Sequence, residues 1–227
     1  MFRAAAFFLF LTVLSLPATA QGRCGLTLVL AMDASSSVDF REYRLQMQGL
    51  ANALRDPQIV RAIVETGGVQ AYAFEWSGRN QHAVIAPWSF LASEAAVLDF
   101  AGRIAGHKRA YLAFPTALGY ALGHAAVQLD RAPRGCARTV VDVSGDGVNN
   151  EGFEPPLAYR NFNYDGVTVN GLVIAGALPD PVAYYREKVV HGPGAFVEVA
   201  ERFEDYEQAM KRKLLREING ASLSMLE

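Results

Sequence analysis

Cysteine is scarce in this 227-residue chain, which holds only Cys24 and Cys136. In an oxidising compartment such an isolated pair suggests one disulfide and no more. An excess of either charge is also missing. Twenty-one Lys and Arg against 23 Asp and Glu leave a formal net charge of −2, so no electrostatic footprint for nucleic acid or an anionic membrane is present. The histidines are few and scattered: His82, His107, His124 and His191 show no HExxH and no zinc spacing. His124, on a helical stretch beside Ala121 and Ala125, reads as a surface or satisfied core residue. A nucleophile elbow is excluded at Ser144, because Asp142 and Asp146 stand where glycines belong. Beyond the first twenty residues no run is apolar enough to cross a membrane. Internal repeats, low-complexity tracts and linkers are absent as well.

What remains describes a folded, exported chain. Hydrophobic residues make up 51% of the sequence and charged residues 19%, which fits a globular core. Arg3, the apolar run Ala4 to Leu16, and Ala18-Thr19-Ala20 form the pattern of a secretory signal peptide over 1–20, cut before Gln21. Residues 21–227 then make one domain. Its expected location is secreted or periplasmic, with no membrane insertion after signal removal.

Apolar runs and periodic stretches alternate along that domain. Strands are predicted at 26–32, 69–75, 82–88, 138–144, 167–175 and 195–199. Helices are predicted over 38–55, ending at Asp56-Pro57, over 94–105 behind Ser93, after Pro115-Thr116, near 181–189 and over 203–219. Trp76 and Trp88 read as packing residues, and Gly192-Pro193-Gly194 as a turn. The alternation predicts an α/β fold: a three-layer, doubly wound, mostly parallel central sheet with helices on both faces. Ligands of such sheets bind at the carboxyl ends of the strands.

Two acids fall on that rim. The stretch LVLAMDASSSVDF drives a buried strand into Asp33, followed by Ser35 and Ser37, and Asp146 comes just past the 138–144 strand. Thr116 opens another helix. Two carboxylates and three hydroxyls, without thiol or imidazole, suit a hard cation, and magnesium above all. Each hydroxyl alone also fits a plainer role, Ser36 or Ser37 as a helix N-cap and Thr116 likewise. A local rival is an EF-hand-like calcium loop through Asp142, Ser144, Asp146, Gly147 and Asn150. It lacks the closing bidentate acid, since Phe153 stands there.

The DASSS motif at a strand end, the distant helix-opening threonine and the late acid-glycine pair resemble a von Willebrand factor type A (vWA) domain. The segments EWSG (75–78), TALG (116–119), VDVSGDGVNN (141–150) and KLLREI (213–218) are similar to a bacterial, secreted branch of that family without an assigned function. The resemblance implies a metal-ion-dependent adhesion site, or MIDAS. Asp33, Ser35, Ser37 and Thr116 would hold Mg2+ (Mn2+ or Ca2+ as substitutes), with Asp146 as the second acid. Many members carry a threonine directly before that acid, whereas Gly145 stands here. The family's strand order also makes the strands after Cys24 and Cys136 neighbours, which implies a Cys24–Cys136 disulfide opposite the metal rim.

The expected function is metal-dependent protein binding, in adhesion or assembly, with a partner's acidic side chain completing the metal. Loops 75–80 and 145–155 would set specificity. Two other classes stay open: a metal-dependent hydrolase of phosphate esters, and a metal-free structural domain of an envelope complex.

Overall fold

The computed structural model describes residues 24–220. The signal-peptide reading of 1–20 lies outside them.

Six strands form one sheet in the order β3-β2-β1-β4-β5-β6. They are β1 (Leu26–Asp33), β2 (Val69–Trp76), β3 (His82–Leu91), β4 (Arg138–Gly145), β5 (Val167–Ile174) and β6 (Val197–Ala200). Every pairing is parallel except β2–β3, an antiparallel hairpin that puts β3 at the edge. β1 and β2 are buried along their whole length, as their unbroken apolar runs require of strands covered on both faces.

Helices cover both faces. One core joins β1, β2 and β3 to α1 (Phe40–Arg55), α2 (Pro57–Glu65), α3 (Glu94–Gly106) and α7 (Tyr206–Asn219), around Leu30, Met47, Leu50, Phe100 and Leu214. The other face packs Val29, Phe74, Trp76 and Val143 under α4 (Leu118–Leu129), α5 (Pro155–Asn161) and the segment that follows α6 (Pro181–Tyr184). That segment is a π-helical turn, Tyr185–Val189, and a short 3-10 turn, Phe203–Asp205, precedes α7. Trp76 is fully buried and Trp88 packs on Tyr72 with ring centroids 5.2 Å apart, so both serve packing.

The expected helix over 38–55 is α1, which ends before Asp56-Pro57 as expected, but a second, unexpected helix follows at once. Asp56 caps a second helix by accepting from the Gln58 amide, with Pro57 in the first turn, where its missing N–H costs nothing. α5 likewise starts on a proline, Pro155, though without a side-chain cap, and had no counterpart in the sequence reading. Among the described residues no helix is long and apolar enough to cross a membrane.

Cys24 and Cys136 form a disulfide that spans 112 residues of sequence. It ties the entry of β1 to the entry of β4, at the amino-terminal edge of the sheet. The Ala137 amide donates to the Cys24 carbonyl beside it, at 2.9 Å.

Candidate metal centre

β1 and β4 run side by side, with Met32 opposite Ser144. Their exits therefore release Asp33 and Asp146 next to each other at the carboxyl-terminal rim. Asp33 and Ser35 are fully buried, while Ser37 is exposed. The Ser35 amide donates to Asp33 Oδ1 at 2.7 Å. The Ser35 and Ser37 hydroxyls lie 3.0 Å apart, and the Ser37 hydroxyl donates to Asp146 Oδ1 at 2.7 Å. Four of the five residues singled out in the sequence are thus joined by one chain of hydrogen bonds.

The fifth, Thr116, is held to the same loop by asparagine. Asn150 Oδ1 accepts from the Thr116 amide at 2.8 Å, and the Asn150 and Glu151 amides donate to the Thr116 carbonyl. The Thr116 hydroxyl lies 3.8 Å from where a β-carbon on Gly147 would sit.

The capping alternatives do not hold. α1 is capped by Asp39, which accepts from the Glu42 amide while Glu42 accepts from the Asp39 amide, a reciprocal capping box. No serine is used for it. α4 begins after Ala117 with no side-chain cap, so Thr116 is not consumed as one either. The calcium-loop alternative also fails, because its residues part company. Asp142 faces Lys213 Nζ at 2.7 Å, Ser144 meets the Tyr206 hydroxyl at 2.9 Å, and Asn150 holds Thr116.

The electrostatics of the rim favour a cation. Asp33 Oδ2 is buried and has no hydrogen-bond partner. Burial, then the neighbouring charge of Asp146, push the Asp33 carboxyl up to about 7. Burial also raises Asp146, against the pull of the Ser37 hydroxyl. Two buried carboxylates that disfavour their own charge, with one oxygen left bare, fit a divalent ion. Among the described residues no three His, Cys, Asp or Glu side chains converge as a metal site, so any cation here rests on hydroxyls as well as acids.

Several supporting residues were not legible in advance. Arg109 donates to the Ala34 and Ser35 carbonyls, both at 2.8 Å, and to the Val38 carbonyl at 2.7 Å, pinning the serine loop by its backbone. Gln46 donates to the Asp33 carbonyl at 2.8 Å. Nothing in the local pattern around Arg109 signals this, since its partners are main-chain atoms some seventy residues away. The paired asparagines in GDGVNNEG were a usable signal, because asparagine side chains favour bonds to nearby loop backbone. Gly145 has a steric explanation. A β-carbon there would lie 2.5 Å from the Tyr185 hydroxyl and 2.9 Å from Asp33 Oδ2.

The histidines are less scattered than their spacing suggested. His82 and His124 stack with centroids 4.5 Å apart, and the Nε2 of each is buried without a partner. His124 is therefore neither a surface residue nor a satisfied one.

Residues 23–222 match the family described as "Protein of unknown function (DUF1194)". No curated protein matches in sequence. Among solved structures, proximal thread matrix protein 1 from the mussel byssus aligns with a TM-score of 0.67 at 16% identity, over 86% of this chain and 49% of that one. The same mussel protein with a zinc-occupied MIDAS motif gives 0.62 at 18%, over 86% and 46%. A von Willebrand factor type A structure from Catenulispora acidiphila gives 0.60 at 16%, over 86% and 43%. The chain thus spans under half the length of these structures. At such identities the likeness shows the fold alone, and that fold is of the vWA type.

Proposed function

Because the chain belongs to the DUF1194 family and carries a vWA-type fold, we propose that it is an exported protein-binding module whose rim holds a divalent cation, Mg2+ first, to capture an acidic side chain of a partner. Asp33, Ser35, Ser37 and Thr116 would hold the ion, with Asp146 as the second acid. The observation that carries this reading is the bare, buried Asp33 Oδ2 beside serine hydroxyls that no helix cap uses.

The division of labour follows from the contacts. Asp33 and Asp146 supply charge, and the hydroxyls supply neutral oxygens without adding to the repulsion. Arg109 and Asn150 fix the two loops by main-chain bonds, so the oxygens need little ordering when a ligand arrives. A bound cation would offer the partner's carboxylate a charge-assisted contact. The zinc-occupied MIDAS motif of the mussel protein supports a divalent ion on this fold. Export is supported by the pattern of residues 1–20 and by the disulfide, which suits an oxidising compartment. The hydroxyls at the rim are bonded to each other and to Asp146, an arrangement that suits oxygens gathered around a cation, and binding is the reading favoured over turnover.

Two measurements test the proposal. A cation that binds only the folded state stabilises by about 2.7 kcal/mol at a hundredfold excess over its Kd. Mg2+ should therefore raise the melting temperature of the parent and leave Asp33→Ala unmoved. A pull-down from envelope extract should lose its partner with EDTA and with Asp33→Ala. Capture unaffected by either change would instead support a metal-free structural domain, and phosphate-ester cleavage dependent on Asp33 would support a hydrolase.

A further inference from the structure

A second recess opens beside the serine loop. It has a volume of about 470 Å³ and lies between α1 and the segment that follows α3. Its floor is apolar: Phe40 is two-thirds exposed, and Tyr43 and Met47 continue it into the core. Its rim is cationic. Arg44, Lys108 and Arg109 all line it, no carboxylate does, and none of the three makes an ion pair among the described residues. In a chain of net charge −2, three unpaired cations around one apolar floor are a local departure. His107 also lines the recess. It is held from behind by the fully buried Glu75, 3.0 Å away, which also accepts from the Tyr43 hydroxyl and the Ala110 amide. The Tyr43 and His107 part of the wall is therefore fixed before anything binds.

Arg109 joins this recess to the metal rim. Its guanidinium lies over the rings of Phe40 and Tyr43, at 5.9 and 5.3 Å, while the same group donates to the Ala34 and Ser35 carbonyls. A ligand side chain in the recess and a carboxylate at the rim would sit on either side of one residue.

We infer that this recess is a second contact for the partner, taking a segment of polypeptide in which an apolar side chain stands next to a carboxylate. The inference rests on the protein-binding reading of the rim and specifies the partner's chemistry. The apolar side chain covers Phe40 and reaches toward Met47, and the adjoining carboxylate meets Arg44 and Lys108. The charge complementarity excludes a basic segment, which three cations would repel. A partner engaging both places needs two acids, one for the cation and one for the recess, with an apolar residue beside the second.

A random dodecapeptide library displayed on phage, selected on the full exported chain in Mg2+, tests this. Selected peptides are expected to carry acidic residues with a neighbouring aromatic or aliphatic residue. Their binding should fall about tenfold or more, about 1.4 kcal/mol per factor of ten, on Arg44→Glu with Lys108→Glu. It should fall likewise on Phe40→Ala. Both variants alter exposed positions, and unchanged melting temperatures with an unchanged Mg2+ response would show that fold and rim persist. If binding is lost with EDTA and with Asp33→Ala but is indifferent to the recess variants, the recess proposal is overturned and the rim reading stands. If binding ignores EDTA yet is lost on the recess variants, the recess binds and the rim reading fails. No enrichment of acidic-apolar peptides overturns the recess proposal outright.

Discussion

At position 145 a side chain would have nowhere to go. The Tyr185 hydroxyl and Asp33 Oδ2 close on that point from two sides, so the threonine that the vWA resemblance leads one to expect cannot be accommodated beside this tyrosine. Gly145→Ala is expected to destabilise the fold by about 1–3 kcal/mol, as overpacking does, and to weaken the Mg2+ response, because Asp33 must shift. The Tyr185 hydroxyl is fully buried without a partner, so Tyr185→Phe should be close to neutral alone and should restore part of what Gly145→Ala loses. Urea unfolding of the four proteins, with and without Mg2+, checks this. The stacked histidines give a pH prediction. Burial first, then repulsion from a second positive charge (a protonated His124 for His82, Arg131 for His124), lowers both from 6.5 to about 4. The unfolded chain therefore takes up these protons first as pH falls from about 6.5 to about 4. The stability that the neutral pair contributes is complete above that window and is lost across it. Asp33 and Asp142, both raised to about 7, act in the opposite sense. The histidine contribution is thus read as a difference: His124→Phe should flatten the acid-side loss of unfolding free energy relative to the parent.

Among the elements, α1 links the rim to the recess, since it follows the serine loop directly, supplies Gln46 to the Asp33 carbonyl and walls one side of the recess. The capping box between Asp39 and Glu42 fixes where it starts. Asp39→Ala should cost about 1 kcal/mol in urea unfolding. It should leave the melting shift with Mg2+ largely intact, because the serines do not depend on that cap. The sequence made the strands and long helices legible, because buried parallel strands write continuous apolar runs and amphipathic helices write a period of 3.6. It ended α1 correctly before Asp56-Pro57 but left the helices that begin at Pro57 and Pro155 unread. A proline closing one helix and a proline opening the next look alike in the string, and only the capping geometry separates them. Of the candidate site, the clustering of Asp33, Ser35, Ser37 and Asp146 was readable because these oxygen side chains follow the ends of neighbouring strands. Arg109 and Tyr185 were not, because their roles are set by distant backbone and by packing behind the rim.

At the scale of the molecule, segments that seemed merely similar to a family meet in the core. Asp142 from VDVSGDGVNN and Lys213 and Glu217 from KLLREI form a buried cluster, with the Lys213 ammonium 2.7 Å from Asp142 and 2.5 Å from Glu217, and Asn170 donating to Glu217. One cation between two acids leaves an excess negative charge, and burial raises the Asp142 carboxyl. Lys213→Met should destabilise by about 3–5 kcal/mol, because it strands two buried acids. Adding Asp142→Asn and Glu217→Gln should recover much of that, and urea midpoints decide it. The disulfide lies beyond this cluster, at the other end of β1 and β4 from the oxygens. α7 finishes there too, where Arg138 donates to the Glu217 and Ile218 carbonyls. Both described ends of the polypeptide consequently leave from the face turned away from the acids. A sensor surface or a bead joined to the polypeptide at residue 24 or 220 would hold the protein with its two rim acids pointing outward.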